Sequence, residues 1–185
     1  MHRQFTFVSS RLRKTAPVHI RKETLWMQQL CAGEAAAWAQ LLDYWNPRLY
    51  SYAIYNGATE TEAQKLIHSI CSEVVHAVVG SLPTVNLTVL LFSIAYQQIL
   101  RYRERSLDPA LKQVPPAIQL ANPEDDPWAG FFQIFYQFTP EVQQILLMHY
   151  LLEISLPEIA QIVGQSEAVL MKNLHRAKFY LVSNE

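Results

Sequence analysis

Residues 138–181, FTPEVQQILLMHYLLEISLPEIAQIVGQSEAVLMKNLHRAKFYL, decide the fold of this chain. Helices are expected over Pro140 to Leu152, Leu156 to Val163 and Ser166 to Leu181. The last two have the spacing of a helix-turn-helix, marked by Ile159-Ala160, Gly164 and Leu170. Ala160 is small enough to let two helices cross closely. Gly164, four residues on, supplies a turn in which positive φ is cheap only for glycine. Ser166 suits the N-cap of the following helix. Leu170, Leu174, Ala177 and Leu181 form its buried stripe. Glu167, Met171, Lys172, His175 and Lys178 are left facing outward, where such a helix can be laid N-terminal end first into a DNA major groove. Short helical hairpins with a central glycine also serve as plain packing units, and spacing alone leaves both readings open.

Further upstream the helical period continues. A short helix is expected over Phe131 to Phe138. Before it, residues 107–127 hold Pro109, Pro115, Pro116, Pro123 and Pro127 with the acidic run Glu124, Asp125 and Asp126. Proline removes a backbone donor and breaks helices, so this stretch reads as an extended linker. An N-terminal block precedes the linker. Trp38, Leu41, Leu42, Trp45, Leu49 and Tyr52 share one helical face, ended by Asn56-Gly57. Ala63, Leu66, Ile67, Ile70, Val74, Ala77 and Val78 mark a second helix, closed by Gly80 and Pro83. A third, from about Val85 to about Glu104, is apolar nearly all round and is expected at the centre of the block. The predicted fold class is all-α: two small helical domains joined by a Pro-rich acidic linker, the C-terminal one a helix-turn-helix. The expected divisions are a basic extension over 1–22, a helical domain over 23–106, the linker over 107–127 and the helix-turn-helix domain over 128–185.

Composition narrows the function. Of 185 residues, 50% are hydrophobic and 17% charged, with a net charge of −1. A neutral chain does not coat nucleic acid through charge alone. The cations are instead local: Arg3, Arg11, Arg13, Lys14, Arg21 and Lys22 before Glu23, and Arg101, Arg103 and Arg105 later. Cys31 and Cys71 make no disulfide framework. His68, Cys71 and His76 share a helix, but a closed zinc site needs four ligands and no Cys-x-x-Cys is present, so core or surface roles are expected and no cofactor. The aromatics Trp26, Trp38, Tyr44, Trp45, Tyr50, Tyr52 and Tyr55 recur at helical spacing, as core residues do. Val85 to Leu100 is too short and too polar to span a bilayer, and neither membrane insertion nor a secretory signal is expected. With five glycines, no phosphate-cradling loop and no nucleophile elbow, nothing suggests an enzyme.

The wording of Phe138 to Leu181 adds to its spacing. Pro140-Glu141, Leu146-Leu147, Tyr150, Glu158-Ile159-Ala160, Gly164, Ser166-Glu167 and Leu174-His175-Arg176-Ala177 resemble region four of bacterial sigma factors, the domain that reads the promoter −35 element. GEAAAWAQLLDYWNPRLYSYA (Gly33 to Ala53), with its phrase Pro47-Arg48-Leu49-Tyr50, resembles the opening of region two, and Ile94-Ala95 falls where that family has its helix before a basic cluster. Together they make the chain similar to a divergent sigma factor of the extracytoplasmic-function type. The resemblance implies an alternative sigma factor, not an enzyme, working in the cytoplasm with RNA polymerase core, promoter DNA and an anti-sigma factor as partners. It implies −35 contacts from Gln165, Ser166, Glu167, Met171, Lys172, Asn173, His175, Arg176 and Lys178. It places the −10 side at Asn86, Thr88, Arg101, Arg103 and Arg105, and core-polymerase contacts at Arg48, Tyr50, Lys65, Leu66, His68 and Ser69.

Three positions depart from the family pattern. Lys65-Leu66-Ile67-His68-Ser69 stands where the family carries an acidic phrase, so the apolar face is kept and the charge exchanged. No aromatic lies in Ser81 to Thr88 to stack on a captured base. Met171-Lys172-Asn173 replaces a more basic run. The alternative is a sigma-like module that works through protein contacts and has lost promoter binding.

Overall fold

The structure is a computed structural model and describes residues 25–79, 84–105 and 135–183. Among these residues all regular structure is helical. A helical stretch over residues 25–31 leads into α1 (Ala35–Tyr55), α2 (Glu60–Val78) and α3 (Leu87–Arg105). The C-terminal block has α4 (Pro140–Leu146), a π-helical turn (Leu147–Leu151), α5 (Leu156–Val163) and α6 (Glu167–Ser183). The basic extension, the proline-rich linker and the Gly80 and Pro83 stop signals lie outside the described residues.

In α1 the buried residues are Ala37, Leu41, Trp45, Leu49, Tyr52 and Ala53. Leu42, expected on the same stripe, points outward instead. The helix runs through Pro47, which cannot donate a backbone bond. Around that gap, Ser51 Oγ donates to the Pro47 carbonyl (3.0 Å) and Arg48 Nη1 to the Tyr44 carbonyl (3.0 Å). The chain leaves α1 through Gly57 at φ 89°, a left-handed conformation that glycine adopts without strain. Thr59 then starts α2 with a capping box closed by Glu62, whose carboxyl is held below the usual carboxylate range by the Thr59 hydrogen bonds. Ala63, Ile67, Ile70, Val74 and Val78 give α2 one buried stripe, while Ala77 lies exposed.

The centre of the N-terminal block is α3. Asn86 caps it by accepting the Val89 amide at Oδ1 (2.8 Å). Leu87, Val89, Leu91, Phe92, Ala95, Tyr96 and Ile99 are all buried, as expected of a helix apolar nearly all round. Phe92 lies between two aromatics of α1, edge-on to Trp45 (5.2 Å) and to Tyr52 (5.9 Å). Of the aromatic run, Trp45 and Tyr52 are in the core, and Trp26, Trp38, Tyr44, Tyr50 and Tyr55 pack half-buried against it.

The C-terminal block departs from the sequence reading at two places. The described part of the stretch expected as a helix over Phe131 to Phe138 is a turn after Phe135. The helix expected over Pro140 to Leu152 starts at Pro140 but widens at Leu147, where the Leu152 amide reaches back to the Leu147 carbonyl (3.0 Å). Glu153 follows at φ 57°, and the Ile154 amide bonds the Met148 carbonyl (2.9 Å). This wide turn redirects the chain into α5, which opens on a Ser155/Glu158 capping box. The two blocks then meet: α5 packs against α6 on one side and against α3 on another.

Candidate nucleic-acid interface

The turn between α5 and α6 is made by Gly164, at φ 68°. Its amide and that of Gln165 return to the Ala160 carbonyl, the latter at 3.1 Å. The Ser166 carbonyl accepts the amides of Val169 (3.0 Å) and Leu170 (3.1 Å), which starts α6. Leu170, Leu174 and Ala177 are buried, as the predicted stripe requires. Opposite them, Ser166, Glu167, Met171, Lys172, His175, Arg176 and Lys178 are exposed, whereas Gln165 and Asn173 are half-buried. Ala168 and Val169, absent from the expected set, are exposed beside them. Ala168 lies one turn before Lys172, so helical spacing could have found it. Val169 (45% exposed) and Met171 (41%) put apolar surface on either flank of this basic face. Side chains of this kind can meet thymine methyl groups in a major groove.

The residues expected on the −10 side are arranged differently. Arg101 and Arg105 are exposed, but Thr88 is buried. Asn86, besides capping α3, donates from Nδ2 to Glu158 Oε1 of α5 (3.0 Å). Arg103 is half-buried; Nη1 donates to Gln143 Oε1 (2.8 Å) and Asn56 Oδ1 (3.2 Å). Burial pulls the Arg103 pKa down, opposed by the nearby Tyr136, Tyr52 and Glu141.

Arg103 lies at the edge of a polar network between the two blocks. The Tyr52 hydroxyl donates to Gln144 Oε1, and Gln144 Nε2 donates to Asn56 Oδ1. Asn56 Nδ2 bonds the Tyr52 carbonyl (2.8 Å) and reaches Gln144 Oε1 (3.4 Å). Gln143 Nε2 donates to the Phe138 carbonyl (2.9 Å), and the Tyr136 hydroxyl to the Tyr55 carbonyl (3.1 Å). Gln144 is 0% exposed, and Asn56 and Gln143 are each 3%. Burial pushes the phenol pKa values of Tyr52 and Tyr136 far up, so both are neutral donors at any physiological pH.

The residues expected to meet polymerase core lie on α1 and α2. Lys65 and His68, three residues apart, are exposed on one face of α2; Leu66 and Ser69 are half-buried. Ser69 Oγ accepts Gln98 Nε2 (3.0 Å) from α3. Tyr50 is half-buried, as is Arg48, whose guanidinium stacks over the Tyr44 ring (4.3 Å). Burial raises the pKa of the half-buried Cys71 thiol, which keeps it protonated. No helix among the described residues is long and apolar enough to cross a membrane.

These helices define the C-terminal block as a helix-turn-helix domain with a basic outer face. Residues 137–178 match the family model for sigma-70, region 4. The whole chain also has the fold of CnrH, as solved in complex with the cytosolic domain of CnrY. That likeness has a TM-score of 0.69 at 19% identity and covers 88% of this chain and 96% of CnrH. A second solved structure, the RsbN–BldN complex, aligns with a TM-score of 0.38 at 17% identity, over 86% of this chain and 99% of the matched one. No curated protein matches the sequence. The chain thus combines a segment matching sigma-70, region 4 with the overall fold of CnrH.

Proposed function

We propose that the chain is an alternative sigma factor that binds RNA polymerase core and directs it to promoters. One observation carries the reading: the exposed basic face of α6, set by the Gly164 turn, within the segment that matches sigma-70 region 4. In this reading Gln165 to Lys178 sit in the −35 major groove. Lys172, Arg176 and Lys178 neutralise phosphates, while Ala168, Met171 and His175 face base edges. Lys65, Leu66, His68 and Ser69 of α2, with Arg48 and Tyr50 of α1, meet polymerase core. Asn86, Thr88 and Arg101 to Arg105 belong to the −10 side. The domains span 23–106 and 128–185. The mechanism is recognition and strand capture, performed in the cytoplasm where polymerase works. An anti-sigma factor is the further partner; the similarly folded CnrH is held by the cytosolic domain of CnrY.

The test is promoter-specific run-off transcription with polymerase core from the source organism, together with the salt dependence of duplex binding. Each phosphate contact contributes close to one unit to the slope of log K against log salt, so Lys172→Ala with Arg176→Ala should lower its magnitude by about 2. An unchanged slope would count against α6 lying on DNA.

The apolar flanks Val169 and Met171 favour a second reading, a sigma-like module acting through protein contacts. It predicts no core binding, no promoter-specific transcript and no DNA retained at low salt.

A further inference from the structure

The exposed face of α6 changes character along its length. Ala168 and Lys172, one turn apart, belong to its outermost row, opposite the buried Leu170, Leu174 and Ala177. Val169 and Arg176, two turns apart, share one flank, and Met171 and Lys178 share the other. In each of these rows the apolar residue comes first and the cation follows. A recognition helix enters the major groove N-terminal end first, so the apolar half meets base edges and the cationic half meets phosphates.

The hydrogen-bonding side chains at that end do not suit the common base contacts. No arginine or lysine precedes Lys172 in α6, so the O6 and N7 acceptors of guanine find no bidentate donor there. Glu167, exposed in the first turn, offers only acceptors as a carboxylate, and the guanine acceptors oppose it. Gln165 needs both ends of its amide to read adenine, yet its Oε1 is buried without a hydrogen-bond partner. What remains at the N-terminal end is apolar, and the apolar group on a base edge in the major groove is the C5-methyl of thymine.

We infer that α6 reads thymine by its methyl group, through Ala168, Val169 and Met171, and that its DNA element carries thymines on both strands. Each methyl projects from its own strand's side of the groove, and Val169 and Met171 stand on opposite flanks of the helix. The inference rests on the sigma-factor reading of α6. It gives the apolar flanks a role in sequence choice, while the cations further along the helix hold it in place without reading sequence.

The test compares two alternating duplexes, poly(dA-dT) and poly(dA-dU). They share their phosphates and hydrogen-bonding groups and differ in the methyl alone. Competition fluorescence anisotropy with the full chain reads the affinity for each. Burying one methyl is worth about a fourfold change, so contacts on both flanks should make the thymine duplex bind about tenfold more tightly. Val169→Ser with Met171→Ser, at two exposed positions, should bring that ratio close to one and leave the salt slope as it was. The wild-type comparison needs no variant, so it stands even where the double substitution disturbs the helix.

Equal affinity of the wild type for the two duplexes overturns the inference, as does a methyl preference that survives the double substitution. The sigma-factor reading fails on a separate readout, in which Lys172→Ala with Arg176→Ala leaves the binding of both duplexes and its salt slope unchanged. That result removes the inference with the reading. A salt slope that responds without a methyl preference removes the inference alone.

Discussion

Two residues with left-handed backbone bracket α5, and they differ in chemistry. Gly164, at φ 68°, carries no side chain to strain. Glu153, at φ 57°, is a non-glycine residue in the same region and stores strain of order 1 kcal/mol. A Cβ added at Gly164 would meet nothing within 4 Å, so the penalty for a side chain there is purely conformational. Gly164→Ala should therefore cost about 1 kcal/mol in urea unfolding, without disturbing the packing of Leu170. A cost several times larger would mean that the turn is crowded after all. Gly164 was legible in the sequence because its role is local: a small residue four before it and a leucine six after it define the motif within one short window. Leu42 misled for the opposite reason. Hydrophobic residues need not be buried, and periodicity alone does not mark the edge of a stripe.

Among the elements, the π-helical turn has the clearest consequence. The widening at Leu147–Leu151 was not legible because Leu146, Leu147, Met148, Leu151 and Leu152 are apolar on every side, and a one-residue change of register leaves no trace in such a run. The turn carries His149, edge-on to Tyr150 (4.8 Å), with a buried Nδ1 that has no hydrogen-bond partner. Burial lowers its pKa below the ordinary value of 6.5, against a smaller opposing contribution from the Ile154 backbone. The neutral imidazole is thus favoured in the folded state, while the unfolded chain takes up a proton once pH falls below about 6.5. Stability contributed by the neutral form is present above that pH and lost on acidification towards the lower, folded pKa. The melting temperature should fall between neutral pH and the mid-acid range, and His149→Gln should flatten that fall. An equal fall in the variant would remove His149 as its cause.

At the level of the whole molecule, the all-helical class and the order of the helices followed from periodicity, whereas the joint between the blocks did not. Tyr52 and Gln144 are 92 residues apart, and Asn56 and Gln144 are 88. Neutral polar side chains carry no pattern that announces a distant partner. Arg103 read as a cation for nucleic acid because charge is visible in a sequence, and the amides that occupy it here are not. Tyr52→Phe removes one hydroxyl from the joint and leaves Gln144 Oε1 with the longer Asn56 contact alone. The expected destabilisation is about 1–2 kcal/mol by denaturant titration, the cost of stranding a buried acceptor. A neutral outcome would show that water replaces the phenol hydroxyl.

The amide–phenol pairs of that joint and the exposed cations of α6 respond differently to ionic strength. Counterions screen contacts between exposed charges over a Debye length of about 8 Å at physiological salt, but they have little purchase on buried amide–phenol pairs. The phosphate contacts proposed for α6 would weaken steeply as electrolyte rises, while Tyr52, Asn56 and Gln144 hold as before. On the proposed reading of α6, a cell taking up ions under osmotic stress would release this protein from DNA with its two blocks still joined, ready to re-engage on dilution without refolding.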